Sequence, residues 1–362
     1  MRMSENRAVK SLYEFGHEEL YSALGRLLSD IGAAGYRRKQ IIRWLYERTP
    51  ERFSNMSDLP KSIRAALQEQ FVLHPLTSRK VLTSVDGTRK FLWLRSTGGE
   101  IESVLIPDGR RTTYCISTQV GCPVKCTFCA TGYGGFSGQL SPGEIVDQVL
   151  QMRRLTDMAP TNLVLMGMGE PLLNFNAVVE ALRILTHAEQ AGLGARRVTI
   201  STVGIPDRIR ELARTFPQIK LALSLHAPNT ELRNKLIPLN RQYPLGDVLD
   251  AVSEHVASTR RRATFEYVIL PGVNDAKHHA SAVARLLESI PSRVNLIGFN
   301  PFRGAPYRKP SVNRLLQFRS WLERGYSGAV TIRRSRGEDI QGACGQLSLE
   351  NRYAPSSAKS PS

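Results

Sequence analysis

The stretch G-C-P-V-K-C-T-F-C at residues 121–129 carries three cysteines, Cys122, Cys126 and Cys129, in a Cys-x3-Cys-x2-Cys spacing. Three thiolates in one short loop can hold three irons of a [4Fe–4S] cluster, because such clusters are bound by cysteine thiolates. The fourth iron then lacks a protein ligand and is open to a small molecule. A structural zinc site normally has four protein ligands. No fourth ligand is evident nearby, so a zinc knuckle or three buried structural cysteines are the less favoured alternatives.

The open iron, together with Phe128 directly before the last cysteine, resembles the cluster loop of radical S-adenosylmethionine (SAM) enzymes. In that superfamily the amino and carboxylate groups of SAM chelate the open iron. The resemblance therefore implies one [4Fe–4S] cluster per chain and SAM as a second cofactor.

Composition indicates a globular protein with a polyanionic partner. The chain of 362 residues is long enough for one large domain and a smaller one. It has 49 Lys and Arg against 32 Asp and Glu, a formal net charge of +17. This excess favours nucleic acid as the partner, and an anionic membrane is the weaker alternative. Local basic clusters lie at 196–197, 260–262 and 333–336.

The sequence favours a cytoplasmic location without membrane contact. No apolar run is long enough for a transmembrane helix, and the first residues, M-R-M-S-E-N-R, contain no apolar signal segment. The chain has five cysteines, three of them in one loop, which fits a reducing cytosol better than a disulfide scaffold.

Changes in pattern along the chain predict four regions. Residues 1–75 are basic and helical in pattern, and we interpret them as an accessory RNA-binding domain, with a packing domain that has a solvated basic face as the alternative. Residues 76–107 contain short strand-like segments separated by glycine turns, which predicts a β-rich connector. Residues 108–347 form the core, and the Ser/Pro-rich residues 348–362 are predicted to be a disordered tail.

Strand and helix patterns alternate through the core, which predicts a parallel sheet with right-handed crossovers. The repeats are too few for a complete eight-fold barrel. We therefore predict an α/β fold, a partial (β/α)6-type radical-SAM barrel with a small helical amino-terminal domain. The predicted strands are Thr112–Ser117, Asn162–Met166, Arg197–Ser201, Ile219–Leu225, Thr264–Ile269, Val294–Phe299 and Val330–Arg333.

Cysteine, glycine and histidine motifs follow several of the predicted strands. Parallel barrels have their active-site residues at the carboxyl ends of the strands. The cluster cysteines follow the first strand, and G-M-G-E-P at 167–171 follows the second. Its glycines would let a ligand approach the backbone closely, so we predict a site for the methionine end of SAM there, with a simple tight turn as the alternative. His226 follows the fourth strand, where local hydrogen bonding alone would also explain an imidazole.

Cys115 and Cys344 lie outside the cluster loop. If Cys115 ends the first strand and Cys344 follows the last one, both can reach one cavity. Two thiols that can pair transiently suggest covalent catalysis with a resolving partner. Two inert, buried cysteines are the alternative.

Taken together, the motifs resemble the bacterial radical-SAM RNA methyltransferases of the RlmN/Cfr class over roughly residues 10–348. Within the class, the carboxyl-terminal motif and the amino-terminal module resemble the branch that methylates C2 of adenine in 23S ribosomal RNA and tRNA. The matching motifs are I-E-S-V-L-I-P at 101–107, Cys115 with the cluster cysteines, G-M-G-E-P at 167–171, S-L-H at 224–226 and D-I-x-x-A-C-G-Q-L at 339–347.

The resemblance implies a mechanism. Cys344 is methylated by one SAM, and a second SAM is cleaved to a 5′-deoxyadenosyl radical that removes hydrogen from this methyl group. The carbon radical adds to adenine C2, Glu102 removes the C2 proton, and Cys115 attacks Cys344 to form a disulfide and release the RNA. Two SAM are consumed per methylation. The implied SAM-binding residues are Gly169, Glu170, Ser201, Ser224, Leu225, His226 and Asn300.

The resemblance also implies partners. They are 23S rRNA at the peptidyl transferase centre, tRNA at the adenosine 3′ of the anticodon, and a low-potential electron donor of the flavodoxin or ferredoxin type. We expect a monomer. Three alternatives remain at this point: methylation of adenine C8, a radical-SAM enzyme acting on a small molecule, and a non-catalytic zinc-stabilised RNA-binding protein.

Overall fold

The computed structural model of the protein describes residues 10–348. Of the predicted disordered tail, 348–362, all but the first residue lies outside the described residues. Within them, none of the helices combines the length and the apolar character needed to cross a membrane.

The amino-terminal region is helical, as predicted. Its apolar stripe is buried, since Ile41 and Leu45 are both 0% exposed. The polar side of the same helix keeps Lys39 and Arg43 in solvent. The chain continues from Arg43 into a wider helical turn, Trp44–Arg48. The helices are α1 His17–Asp30, α2 Arg37–Arg43 and α3 Lys61–Gln70.

One mixed sheet of ten strands dominates the remainder. Its first four strands pair antiparallel in chain order, the fourth then pairs parallel with the fifth strand of the sheet, and every later pair of neighbours is parallel. The ten strands are β1 Leu76–Thr83, β2 Arg89–Arg95, β3 Glu100–Asp108, β4 Arg111–Cys115, β7 Asn162–Leu165, β8 Val198–Thr202, β9 Lys220–Ser224, β10 Ala263–Ile269, β11 Ser292–Gly298 and β12 Ala329–Arg333.

The seven parallel strands form the predicted open barrel, with helices in the crossovers. The residues between 76 and 107, predicted as a connector, are continuous with the barrel sheet, because β3 is hydrogen-bonded to β4. The remaining elements are the hairpin strands β5 Gln119–Gly121 and β6 Phe136–Gln139, with α4 Ala130–Tyr133, α5 Pro142–Thr156, α6 Phe175–Thr186, α7 Pro206–Thr215, α8 Thr230–Leu236, α9 Leu245–Thr259, α10 Lys277–Leu286 and α11 Val312–Glu323.

Helix α5 shows how local sequence sets a boundary. Ser141 caps the helix by accepting a hydrogen bond from the Glu144 amide at 3.2 Å, and the Glu144 carboxylate accepts from the Ser141 amide at 2.8 Å. Pro142 occupies the first helical position. The Ser-x-x-Glu spacing at 141–144 is the sequence signature of this reciprocal capping box, and proline is favoured at the first helical position.

A buried ion pair fixes the amino-terminal helices to the barrel. His74 Nδ1 lies 2.6 Å from Asp147 on α5, and the same carboxylate accepts hydrogen bonds from the Leu76 amide and Gln151. Burial alone would lower the pKa of His74, but the Asp147 charge and its hydrogen bond raise the pKa above its ordinary value. The apolar core is continuous from Leu12 to Leu347, so the two parts are packed as one body.

This pair predicts a pH-dependent stability. Because the pKa of His74 is raised, its contribution to the free energy of unfolding is complete below about pH 6.5. This contribution is lost as the pH rises through the raised pKa. His74→Leu should reduce the free energy of unfolding by roughly 3–5 kcal/mol at low pH, because it leaves Asp147 buried without its cation. Denaturant titrations between about pH 6 and about pH 9 measure the difference between the two proteins. A difference that does not shrink as the pH rises would contradict this assignment.

Candidate functional site

A cavity opens at the carboxyl ends of the parallel strands and joins most of the predicted site residues. It encloses about 910 Å³ of empty space that extends into solvent. Both the cluster loop and the loop that carries Cys344 contribute to its wall. The predicted residues that line it are Cys122, Cys126, Cys129, Gly169, Glu170, Ser201, Ser224, His226, Asn300 and Cys344.

The cluster loop is held by a hairpin that the sequence did not predict. Strand β5 pairs antiparallel with β6, and the Cys122 amide donates to the Gly135 carbonyl at 2.9 Å. Gly121 has φ +74°, and a Cβ there would lie 1.8 Å from the Gly135 oxygen, so only glycine fits. At the other end, the Thr127 amide donates to the Leu236 carbonyl of α8. Both anchors orient the three thiols toward the cavity.

The arrangement of the thiols fits a cubane cluster better than a single ion. Within residues 10–348, no three His, Cys, Asp or Glu side chains converge on a point that one metal ion could occupy. A [4Fe–4S] cluster needs no such convergence, because each cysteine binds a different iron. Burial raises the pKa of Cys122 to about 12, and burial with the neighbouring thiols raises that of Cys126 well above its ordinary value. The positive charge of bound iron would offset this cost, since a coordinating thiol is deprotonated.

His226 presents a defined donor to the cavity. Its Nδ1 accepts a hydrogen bond from the Val268 amide at 2.9 Å, so a neutral ring carries its proton on Nε2. Burial and the Arg233 charge lower the pKa of His226 to about 3, which keeps the ring neutral near pH 7. The local hydrogen bond considered in the sequence analysis is therefore present, and it orients the imidazole.

The G-M-G-E-P turn is shaped by packing within the chain. Gly169 has φ +105°, and a Cβ there would lie 2.6 Å from the Gln119 side chain. Glu170 is 3% exposed, and its two carboxylate oxygens accept hydrogen bonds from the Leu172 and Val203 amides. Burial raises the pKa of Glu170, and these amides partly offset the effect. The absence of a side chain at Gly169 thus allows close packing against β5, and it also leaves the backbone exposed at the cavity.

Asn300 fixes the Cys344 loop. Its side-chain amide donates to the Cys344 carbonyl at 3.0 Å, and its oxygen accepts from Ser335 at 2.7 Å. The Ala130 amide, next to the cluster loop, donates to the Gly345 carbonyl at 2.7 Å. These contacts place Cys344 beside Cys129 although more than two hundred residues separate them in sequence.

A second cavity, about 1320 Å³ of empty space that extends into solvent, also has Cys344 in its wall. Cys115, the last residue of β4, lines this cavity together with Cys344. Arg333, Asn300 and Cys344 belong to the walls of both cavities. Burial and the neighbouring Cys344 thiol raise the pKa of Cys115 to about 12, although the Arg333 charge opposes the shift. All five cysteines are free thiols in this structure.

Two predicted residues line neither cavity. Leu225 is 0% exposed, its side chain is part of the apolar core, and its amide and carbonyl bond to Glu266 and Arg233. Glu102 lies on β3 with 4% exposure, and its carboxylate is 3.1 Å from the Lys90 ammonium. Leu225 therefore has no side-chain surface at the cavity, whereas Glu102 is paired with Lys90 outside the lining of both cavities.

Arg233 on α8 was not anticipated from the sequence. Its guanidinium is 1% exposed and donates to the carbonyls of Val203, Ser224 and Leu225, which ties the ends of β8 and β9 together. Burial lowers its pKa to about 10, and the neighbouring Cys126 and Glu170 oppose the shift. A single arginine in a polar helix has no sequence signal that separates it from a surface residue.

Comparisons with known proteins agree with this geometry. The Radical SAM superfamily model matches residues 116–282, and a model for the ribosomal RNA large subunit methyltransferase N-terminal domain matches residues 19–73. The probable dual-specificity RNA methyltransferase RlmN of Thermotoga sp. (strain RQ2) is 45% identical over 345 residues, which are 94% of this chain and 98% of the relative. This chain belongs to the RlmN family.

Two further matches support the assignment over most of the length of each chain. The dual-specificity RNA methyltransferase RlmN of Alkalilimnicola ehrlichii is 46% identical over 330 residues, 90% of this chain and 91% of that protein. The crystal structure of a radical SAM methyltransferase from Sphaerobacter thermophilus superposes with a TM-score of 0.89 at 44% identity, covering 93% of this chain and 99% of the other. The predicted family and fold are confirmed, and RlmN membership implies a [4Fe–4S] cluster and SAM.

Proposed function

We propose that this RlmN-family enzyme methylates C2 of adenosine in 23S rRNA and in tRNA through a methyl group carried on Cys344. The observation that carries the proposal is the position of Cys344 between two cavities. One contains the cluster cysteines and the strand-end polar residues, and the other contains Cys115. The relatives named as dual-specificity RNA methyltransferases support RNA as the substrate.

The cavity next to the cluster loop would hold the cofactors. Cys122, Cys126 and Cys129 would bind one [4Fe–4S] cluster per chain, leaving one iron for SAM. When bound, the reduced cluster supplies the electron that cleaves SAM into methionine and a 5′-deoxyadenosyl radical. The neutral His226 would donate from Nε2, and Ser201 and Ser224 are half-buried hydroxyls on the same wall. An electron donor of flavodoxin or ferredoxin type would reduce the cluster.

Three residues would then carry out the transfer to RNA. The Cys344 thiolate accepts a methyl group from one SAM, and after this methyl group gives a hydrogen atom to the 5′-deoxyadenosyl radical, its carbon adds to adenine C2. Glu102 removes the C2 proton, and the one electron left on the adduct would pass back to the cluster, which the cleavage of SAM would have left oxidised. The Cys115 thiolate attacks the Cys344 sulfur, so that an S–S bond forms, the S–C bond breaks and the released methylene takes up a proton to become the methyl group on adenine. An external reductant restores the two thiols. Two SAM are used per methylation.

The target adenine must leave its stack to reach Cys344, since an edge inside a helix is inaccessible. We place the RNA at the second cavity, where Arg334 and Arg336 follow β12. The clusters at 196–197 and 260–262 precede β8 and β10, at the opposite end of the sheet. The exposed Lys39 and Arg43 of the amino-terminal region, proposed as the accessory domain, would contact RNA further from the target. We expect a cytoplasmic monomer.

Anaerobic reconstitution with 23S rRNA and tRNA, followed by nucleoside mass spectrometry, tests the function. We expect 2-methyladenosine in both RNAs, with SAM as the source of the methyl group. A product of 8-methyladenosine would establish the related C8 activity instead. Unmodified adenosine in both RNAs, with a fully loaded cluster and active SAM cleavage, would contradict the proposal.

The RNA contact predicts a steep dependence of affinity on salt, because each phosphate contact releases counterions. Arg334→Glu should weaken RNA binding and reduce the slope of log affinity on log salt by about 0.7–0.9. Arg196→Glu, at the opposite end of the sheet, is the matched control and should have a smaller effect. Fluorescence anisotropy over a salt series measures both slopes. Equal effects of the two variants would argue against this location for the RNA.

A further inference from the structure

A buried lysine links the proposed base to the loop that carries Cys344. Lys90 lies on β2 and is 4% exposed. Its ammonium is 3.1 Å from the Glu102 carboxylate on β3 and donates to the Gln341 carbonyl at 3.2 Å. Gln341 precedes Cys344 by three residues and has φ +52°, in the left-handed region. Lys90 therefore contacts both the element with the base and the loop with the methyl carrier.

The turn between β1 and β2 holds the same loop at two more points. Asp339 accepts hydrogen bonds from the Ser84 hydroxyl at 2.6 Å and the Val85 amide at 3.2 Å. Asp86 accepts one from the Gly337 amide at 3.0 Å. These contacts anchor the start of the loop, whereas Lys90 is the contact that connects the loop with Glu102.

We propose that Lys90 is a positioning residue that fixes the Glu102 carboxylate relative to the Cys344 loop during methyl transfer. The inference rests on the proposed function, in which Glu102 takes the C2 proton from an adenine bonded to Cys344. Proton transfer needs the base within hydrogen-bond reach of that proton. Glu102 and Cys344 come from distant parts of the chain, so a shared contact is required to keep their relative positions fixed.

Stability alone does not account for these charges. Burying an ammonium and a carboxylate is costly, and an apolar pair of similar volume is often as stable or more so. The Lys90 amine makes a second bond to a loop carbonyl, which an ion pair serving packing alone would not need. The two contacts of Lys90 thus fix the position of Glu102 relative to the loop that carries Cys344.

The test compares Lys90→Met with the wild-type holoenzyme in a single turnover. Each protein carries a reconstituted cluster and a pre-methylated Cys344, verified by iron analysis and intact-protein mass spectrometry. Formation of 5′-deoxyadenosine should remain at the wild-type rate, because Lys90 lines neither cavity. Release of 2-methyladenosine should be about 100-fold slower, because a displacement of a reacting group by about 1 Å can cost this much in rate. Lys90→Arg, which restores charge and donors, should recover part of this loss.

Lys80→Met is the matched control, since Lys80 is exposed on the neighbouring strand of the same hairpin, and it should behave as wild type. If Lys90→Met does not give folded holoenzyme, Lys90→Gln carries the same comparison, because it keeps a donor but removes the charge. Equal loss of 5′-deoxyadenosine and 2-methyladenosine would overturn the proposal in favour of a purely structural role. Wild-type release by the Lys90 variants would overturn it as well. Failure of the wild-type enzyme to methylate would instead contradict the proposed function.

Discussion

Cys115→Ala should trap a covalent complex between the enzyme and its RNA. In the proposed reaction the product is attached through the Cys344 methylene, and release requires a second thiol to attack the Cys344 sulfur. Cys115 is the thiol outside the cluster loop that shares a cavity with Cys344. Alanine removes this attack but leaves the addition to adenine intact, so turnover should stop after one event per enzyme. A shifted band on a denaturing gel, and its mass after nuclease digestion, report the complex.

The companion variants make this prediction specific. Cys344→Ala should give neither complex nor methylation, and the double variant should behave like Cys344→Ala, because the attachment point is missing in both. Cleavage of SAM should continue in Cys115→Ala, since this residue lines the second cavity and not the one beside the cluster loop. Normal turnover by Cys115→Ala, or a complex that forms without Cys344, would refute the two-thiol mechanism.

Cys126→Ala should abolish the cluster and every SAM-dependent step. We expect roughly four irons per wild-type chain after reconstitution and visible absorbance from thiolate-to-iron charge transfer. Cys126 is 9% exposed and is the middle cysteine of the loop, so alanine removes one of the three thiolates that would hold the cluster. Iron content, absorbance and 5′-deoxyadenosine formation should all fall to background.

Cys115→Ala is the matched control for this second experiment. It removes one buried thiol, as Cys126→Ala does, but outside the cluster loop, so iron content and absorbance should equal those of wild type. Retention of the cluster by Cys126→Ala would remove this cysteine from the ligand set. A colourless, active wild-type protein that contains zinc would refute the cluster assignment itself.

The parallel strands could be placed from sequence to within about two residues, because short apolar runs between turn residues are a strong local signal. The predicted strand Asn162–Met166 is observed as Asn162–Leu165, and the predicted Thr264–Ile269 as Ala263–Ile269. The hairpin of β5 and β6 was not predicted from the sequence. Gln119–Gly121 has three residues, too few to show a period, and its pairing is set by contacts with the cluster loop.

The candidate site likewise combines features that the sequence predicts with features that only the folded structure shows. Carboxyl ends of parallel strands meet at one edge, so Ser201, Ser224 and His226 could be expected to converge, and they line one cavity. Leu225, adjacent to His226, faces the core instead, because successive residues of an extended chain point to opposite sides. Asn300 was expected at SAM, and the structure shows its side chain bonded to the Cys344 carbonyl.

Local sequence is sufficient for the cluster loop, the strand order along the chain and the polyanionic partner, since spacing, periodicity and charge are properties of neighbouring residues. The position of Cys344 between two cavities, the Arg233 contacts across two strand ends and the link from Lys90 to Glu102 and Gln341 depend on packing between distant segments. A buried lysine and an exposed one have the same local pattern. Their difference arises when the chain folds and removes one of them from water, which requires partners from elsewhere in the chain.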